Sequence, residues 1–129
     1  MTLQRIFDKA VNHLRQQGQQ CVKGHQCMYR IETRKKVLKC AAGCLIPKAD
    51  YDPAMEGQAI FIYGGNLTSK YFRKKFGDSS VGTKKFKLVT ALQGIHDSTS
   101  NEDFKNGNIE KKFQYLAIDF GLIYTPPAV

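Results

Sequence analysis

Apolar residues at Leu3, Ile6, Phe7, Ala10, Val11 and Leu14 recur at the spacing of one helical face, and this run constrains the fold more than any other feature of the chain. Residues three and four positions apart lie on the same side of a helix, so the stripe must be covered by other elements. Thr2 stands at an N-cap position, and Gly18 stands where a helix can end in a left-handed residue. A second stripe, Ile109, Phe113, Leu116, Ala117 and Phe120, marks a last helical region. It follows the capping-box-like Ser100-Asn101-Glu102-Asp103 and ends at Gly121-Leu122. Between the two, Leu88, Val89, Leu92, Ile95 and His96 line one side of a helix expected from about Lys84 to Asp97, slightly weakened by Gly94. A shorter helix over Thr68 to Phe76 turns Leu67, Tyr71, Phe72 and Phe76 inward and stops at Gly77.

Cys27 to Ile31 and Val37 to Cys40 flank the charged segment Glu32 to Lys36, which predicts a short hairpin. Ala41 to Ile46 fits a small helical turn stopped by Pro47, and residues 47 to 58 form a loop. Gln58 to Tyr63 is expected to be a strand or extended segment, closed by Gly64-Gly65-Asn66. The pattern is α+β: a mainly helical single domain over residues 1–125, with about four helices, a small β-hairpin and a tail from Pro126. At 129 residues and 42% hydrophobic content, the chain is long and apolar enough for one core.

No stretch approaches the roughly 18 apolar residues of a membrane helix. Arg5, Asp8, Lys9 and Arg15 interrupt the N-terminal run, unlike a secretory signal, so a cytoplasmic protein with reduced cysteines is expected. The net charge of +9 is concentrated. Residues 22–39 hold six basic residues and one acid, a net +5, and residues 68–87 hold seven and one, a net +6. The remainder of the chain therefore carries −2.

Cys27-Met28-Tyr29-Arg30, Lys39-Cys40-Ala41-Ala42-Gly43-Cys44-Leu45-Ile46-Pro47, Tyr51-Asp52-Pro53-Ala54-Met55-Glu56-Gly57, Leu92-Gln93-Gly94-Ile95-His96-Asp97 and Ala117-Ile118-Asp119-Phe120-Gly121-Leu122 together resemble a group of short uncharacterised proteins of bacteriophages and bacterial mobile elements. The resemblance covers roughly residues 1–57 and 86–122. The insert Glu32 to Lys36 departs from the short Gly-containing turn usual in that group, and adds basic charge there. The resemblance implies a phage or prophage origin and action in the bacterial host cell, with no catalytic or binding residues attached.

Two constellations carry chemistry. Cys21-x3-His25-x-Cys27 followed by Cys40-x3-Cys44 offers soft ligands for a structural zinc; the alternative is that Cys40 and Cys44 are small buried hydrophobes, while Cys21 and His25 occupy a polar loop. No other cofactor is expected. The second is the basic pair of segments: Arg30, Arg34, Lys35 and Lys36 with Lys70, Arg73, Lys74, Lys75, Lys84 and Lys85 suit phosphate neutralisation, and Tyr71 could stack on a base. A solvated surface that only opposes aggregation is the plainer alternative. The expected partner is nucleic acid or a host nucleoprotein complex bound without catalysis. The competing partner is an acidic host protein, anchored through Tyr71 or Phe61. A small enzyme using Cys40 or Cys44 with His25 is a third class, and His96-Asp97 suggests a satisfied structural histidine more than a catalytic base.

Overall fold

The protein is described by a computed structural model at residues 1–60, 65–77 and 80–128, with the backbone alone at 80 and 81. Helix α1 (Leu3–Gln17) forms on the first stripe. Thr2 Oγ1 accepts the Arg5 N–H at 3.1 Å, Gly18 closes the helix at φ 67°, and Ile6, Phe7, Ala10, Val11 and Leu14 are buried. Helices α2 (Leu67–Phe76) and α3 (Ser80–Ser98) follow, and α3 is the central element, packed against α1, α2 and α5 (Ile109–Phe120). It starts four residues earlier than the sequence pattern suggests. Gly82 allows this, because a Cβ there would lie 2.2 Å from the carbonyl oxygen of Gly77. Phe72, Phe76 and Phe86 form a ring cluster where α2 meets α3.

The last helical region divides into α4 (Asn101–Lys105) and α5, separated by Asn106-Gly107-Asn108 with Gly107 at φ 82°, so the described residues hold five helices. Ser100 Oγ caps α4 through the Asp103 N–H at 3.1 Å. Gly121 ends α5 in the left-handed conformation, and the Leu122 N–H returns to Ala117 O at 2.8 Å. Beyond it the chain turns back onto α1. Gln4 exchanges two hydrogen bonds of 2.9 Å with the backbone of Ile123, and Arg15 donates to Thr125 O at 2.8 Å. Arg15 also forms a two-pronged pair with Glu110, which accepts from Tyr124 Oη at 2.8 Å.

The β structure is two antiparallel hairpins. β3 (Arg30–Glu32) pairs with β4 (Val37–Lys39) in the register Arg30↔Lys39, Ile31↔Leu38, Glu32↔Val37, as the flanking residues predict. β1 (Val22–Lys23) with β2 (Gln26–Cys27) is unexpected, being two residues per strand around a left-handed Gly24. Residues 41–46 are all buried, and Gly43–Leu45 form a 3₁₀ turn beneath α1. Gly43 is obligatory there: a Cβ would stand 1.9 Å from Tyr29 O. Of the segment expected to be a strand or extended, Gln58 to Ile60 form no strand, and the rest, including Phe61, lies outside the described residues. No helix among the described residues is long and apolar enough to cross a membrane.

Candidate binding surface and the carboxylate network beside it

Arg34, Lys35 and Lys36 occupy the tip of the β3–β4 hairpin. Thr33 shapes that turn, its N–H bonding Lys36 O at 2.9 Å while its hydroxyl accepts from the Lys35 and Lys36 amides. All three basic side chains are exposed. On α2, Lys70 and Lys74 are exposed and Arg73 is half-buried; on α3, Lys84 is exposed and Lys85 half-buried. The 3₁₀ turn Lys48–Asp50 joins the two regions, since Lys48 reaches Glu32 at 3.5 Å and Asp50 accepts from Tyr71 Oη at 3.0 Å. The hairpin and α2 thus flank one turn. Lys48, itself exposed, adds to the positive surface, and its isolated place after Pro47 gave no signal in the sequence.

Three of the expected contact residues have other work. The Arg30 side chain is only 9% exposed and lies 3.5 Å from Glu32, so it supports the hairpin. Tyr71 is half-buried, held by Asp50 and edge-on to Phe72, which leaves it neither a free stacking platform nor the apolar anchor. Lys75 donates to Leu45 O at 2.9 Å and sits 5.7 Å from the Tyr71 ring centre. Burial, then repulsion from Lys9, lowers the Lys75 pKa. Asp50 and Asp52 line a shallow groove with Lys70 and Lys74, tempering the positive charge there.

The expected zinc ligands do not assemble. His25 is exposed at the turn of the first hairpin, while Cys21, Cys40 and Cys44 are buried free thiols. Cys40 Sγ accepts the Gly43 N–H at 3.2 Å, and Cys44 donates to Ala41 O at 3.0 Å, both within a tight turn that keeps them apart from His25. Burial pushes the Cys44 thiol up to about 11 and Cys40 well above its ordinary value, so neither is an activated nucleophile at neutral pH.

A different trio converges: ligand atoms of Cys27, His96 and Asp97 lie within 4.8 Å of one another. His96 is fully buried on α3; its Nε2 accepts the Cys21 N–H at 2.8 Å, which fixes the proton on Nδ1, the nitrogen that donates to Asp97 Oδ1 at 2.8 Å. Sequence neighbours on a helix ordinarily diverge, yet here the short Asp97 side chain folds back to its own helix neighbour. Gln93 donates to the same oxygen at 2.7 Å, and its carbonyl accepts the Ala42 N–H at 2.9 Å. Burial alone would raise the Asp97 carboxyl, but hydrogen bonds from His96, Cys27 and Gln93 outweigh it and hold the group below its ordinary value. The Cys27 thiol moves the other way, up to about 11, through burial and then the adjoining carboxylate.

No protein-family model, curated protein or solved structure matches this chain. The chemistry rests on the residues alone. The trio does not fit a metal ion, because the proton on His96 Nδ1 occupies the lone pair a metal would need, and moving it to Nε2 would set two N–H groups face to face. It does not fit a nucleophile and base either: His96 Nε2 faces the Cys21 backbone, and Cys27 is held as a thiol. What the network supplies is a fixed, ionised carboxylate, its side chain 43% exposed. Asp97 opens into a cleft of about 1000 Å³ whose described lining includes Met28, Ile60, Phe86 and Ala91.

Proposed function

We propose that the protein is a non-enzymatic nucleic-acid-binding domain of phage or mobile-element origin, working in the bacterial cytoplasm on nucleic acid or a host nucleoprotein complex. The observation that supports this is the state of its cations. Among the described residues Arg34, Lys35, Lys36, Lys70, Lys74, Lys84, Lys85 and Lys87 take part in no ion pair, so their charge is available to an outside anion. Phosphate backbones suit such a surface, because neutralising them releases counterions without demanding one geometry. The hairpin tip and α2, set on either side of the Lys48–Asp50 turn, give contacts spaced along a strand.

Fluorescence anisotropy with labelled DNA and RNA oligonucleotides, titrated across salt concentrations, tests this. Each phosphate contact contributes about 0.9 to the slope of log affinity against log salt. Reversing Arg34, Lys35 and Lys36 together to Glu is therefore expected to flatten the slope by about 2 to 3 and to weaken binding. Unchanged affinity and slope would refute the proposal. An acidic host protein is the second reading, favoured by Tyr115 and Ile118, three residues apart on α5 and 68% and 71% exposed. That complex would be only modestly sensitive to salt and would be lost on replacing those two residues.

A further inference from the structure

The cleft beside α3 has one carboxylate on its wall and one lysine, Lys87, among its described lining. Its size lies at the upper end of the roughly 300–1,000 Å³ range of ligand pockets. Asp97 is not loosely placed there. His96 and Gln93 both bind its Oδ1, and each is itself anchored to a backbone amide from a different segment, Cys21 and Ala42. The remaining donor to the carboxylate is the weak S–H of Cys27.

A free cationic ligand is a poor match, because the protein carries +9 and Lys87 adjoins the site. The favoured ligand has an apolar flat body, donors for a carboxylate and a negative charge nearby, which together describe a nucleotide. Among the bases, guanine alone presents two adjacent donors, N1–H and N2–H, with no acceptor between them; O6 and N3 lie on the outer sides of the pair. Adenine and cytosine set a ring-nitrogen lone pair next to the amino group, and uracil or thymine flank N3–H with two carbonyls, so each brings a lone pair towards the carboxylate.

Resting on the nucleic-acid reading above, we infer that this cleft takes an unpaired guanine base of the bound strand, with the Asp97 carboxylate accepting N1–H and N2–H, Met28, Ile60 and Phe86 covering the ring, and Lys87 meeting its phosphate. The weak Cys27 S–H contact gives way on binding. This adds base selectivity to a surface whose phosphate contacts carry none.

Isothermal titration of the full chain with GMP, AMP, CMP and UMP at low salt tests the inference. GMP is expected to bind at least about tenfold tighter than the other three, matching the discrimination of a good base-edge contact. Asp97→Asn should abolish that preference. Should Asp97→Asn fail to fold, Thr90→Tyr keeps the inference testable, since Thr90 is exposed and lines the cleft, and a tyrosine there should block GMP. Equal binding of all four mononucleotides, no binding of GMP, or GMP binding untouched by Thr90→Tyr overturns it. Salt-dependent oligonucleotide binding without a guanine preference sinks this inference and leaves the surface reading standing. GMP selectivity without oligonucleotide binding sinks the surface reading and, with it, the bound strand as the source of the base, while guanine recognition by the cleft stands.

Discussion

Replacing His96 with Leu tests the buried network most directly. Leu fills much of the imidazole volume but accepts nothing, so the Cys21 N–H, which lies in the buried interior, loses its 2.8 Å partner. An orphaned buried donor costs about 1–3 kcal/mol. Losing the N–H donated to Asp97 adds only about 0.5–1 kcal/mol, because that carboxylate is 43% exposed and water can replace the donor. The edge contact of the imidazole with Phe104, at 6.4 Å between ring centres, is also lost and is partly offset by the apolar leucine. The expected destabilisation is about 2–3 kcal/mol, or roughly 6–12 °C in melting temperature for a chain of this size. Urea unfolding followed by far-UV circular dichroism at pH 7 measures it. His96→Gln is the informative companion, since the glutamine carbonyl can reach the place of Nε2 and should restore about half of the loss. If His96→Leu unfolds within about 0.5 kcal/mol of the parent, or His96→Gln is no better than Leu, the Cys21 N–H does not depend on His96.

Gly43→Ala would set a methyl 1.9 Å from Tyr29 O and 2.7 Å from Tyr29 C, both backbone atoms with little room to yield. A loss of about 3 kcal/mol or more is expected, read as a collapsed melting temperature; a near-native melt would show that the turn shifts freely. The Cys27 thiolate is disfavoured, so its reactivity should emerge only as pH rises towards about 11, against 9.0 for an ordinary thiol. At pH 8 those two pH units correspond to about a hundredfold less thiolate, and iodoacetamide labelling mapped by mass spectrometry should be slower accordingly. Labelling of Cys27 at the rate of a free cysteine would contradict the assignment. Arg15→Met removes the pair with Glu110 and the bond to Thr125 O, from side chains 17% and 18% exposed. It should cost only about 1 kcal/mol while speeding amide exchange at Ile123, and unchanged exchange would show the C-terminal segment holds to α1 without it.

The sequence places Arg30, Tyr71 and Lys75 on the charged surface together with Arg34 and Lys74, because charge runs do not reveal which members find partners. Arg30 is turned into a salt bridge by the strand register, and Lys75 is captured by the carbonyl of Leu45, thirty positions earlier. The spacing Cys40-x3-Cys44 likewise brings no metal geometry, since the tight turn directs each sulfur to a local backbone group. The Asp97 network left one faint trace in the sequence, the adjacency of His96 and Asp97. Gln93 lies one helical turn earlier, and the remaining members come from residues 21, 27 and 42, whose approach to α3 no spacing in the sequence signals.

Helix α1, its Thr2 cap, its Gly18 end and the stripe of α5 were determined by the sequence itself, because capping and amphipathicity act within one or two turns. The mainly helical α+β class follows from the same local signals. The break between α4 and α5 is local too, at the Asn106-Gly107-Asn108 turn with its left-handed Gly107, whereas the two-residue strands of the first hairpin and the separation of open from captured cations were decided by tertiary structure. So was the carboxylate at the cleft: its Oδ1 is fixed by His96 and Gln93, which are held in turn by amides 75 and 51 residues away in the chain. Contacts at that separation exist only once α3 has packed against the segments that follow α1, and no local periodicity encodes where those segments cross.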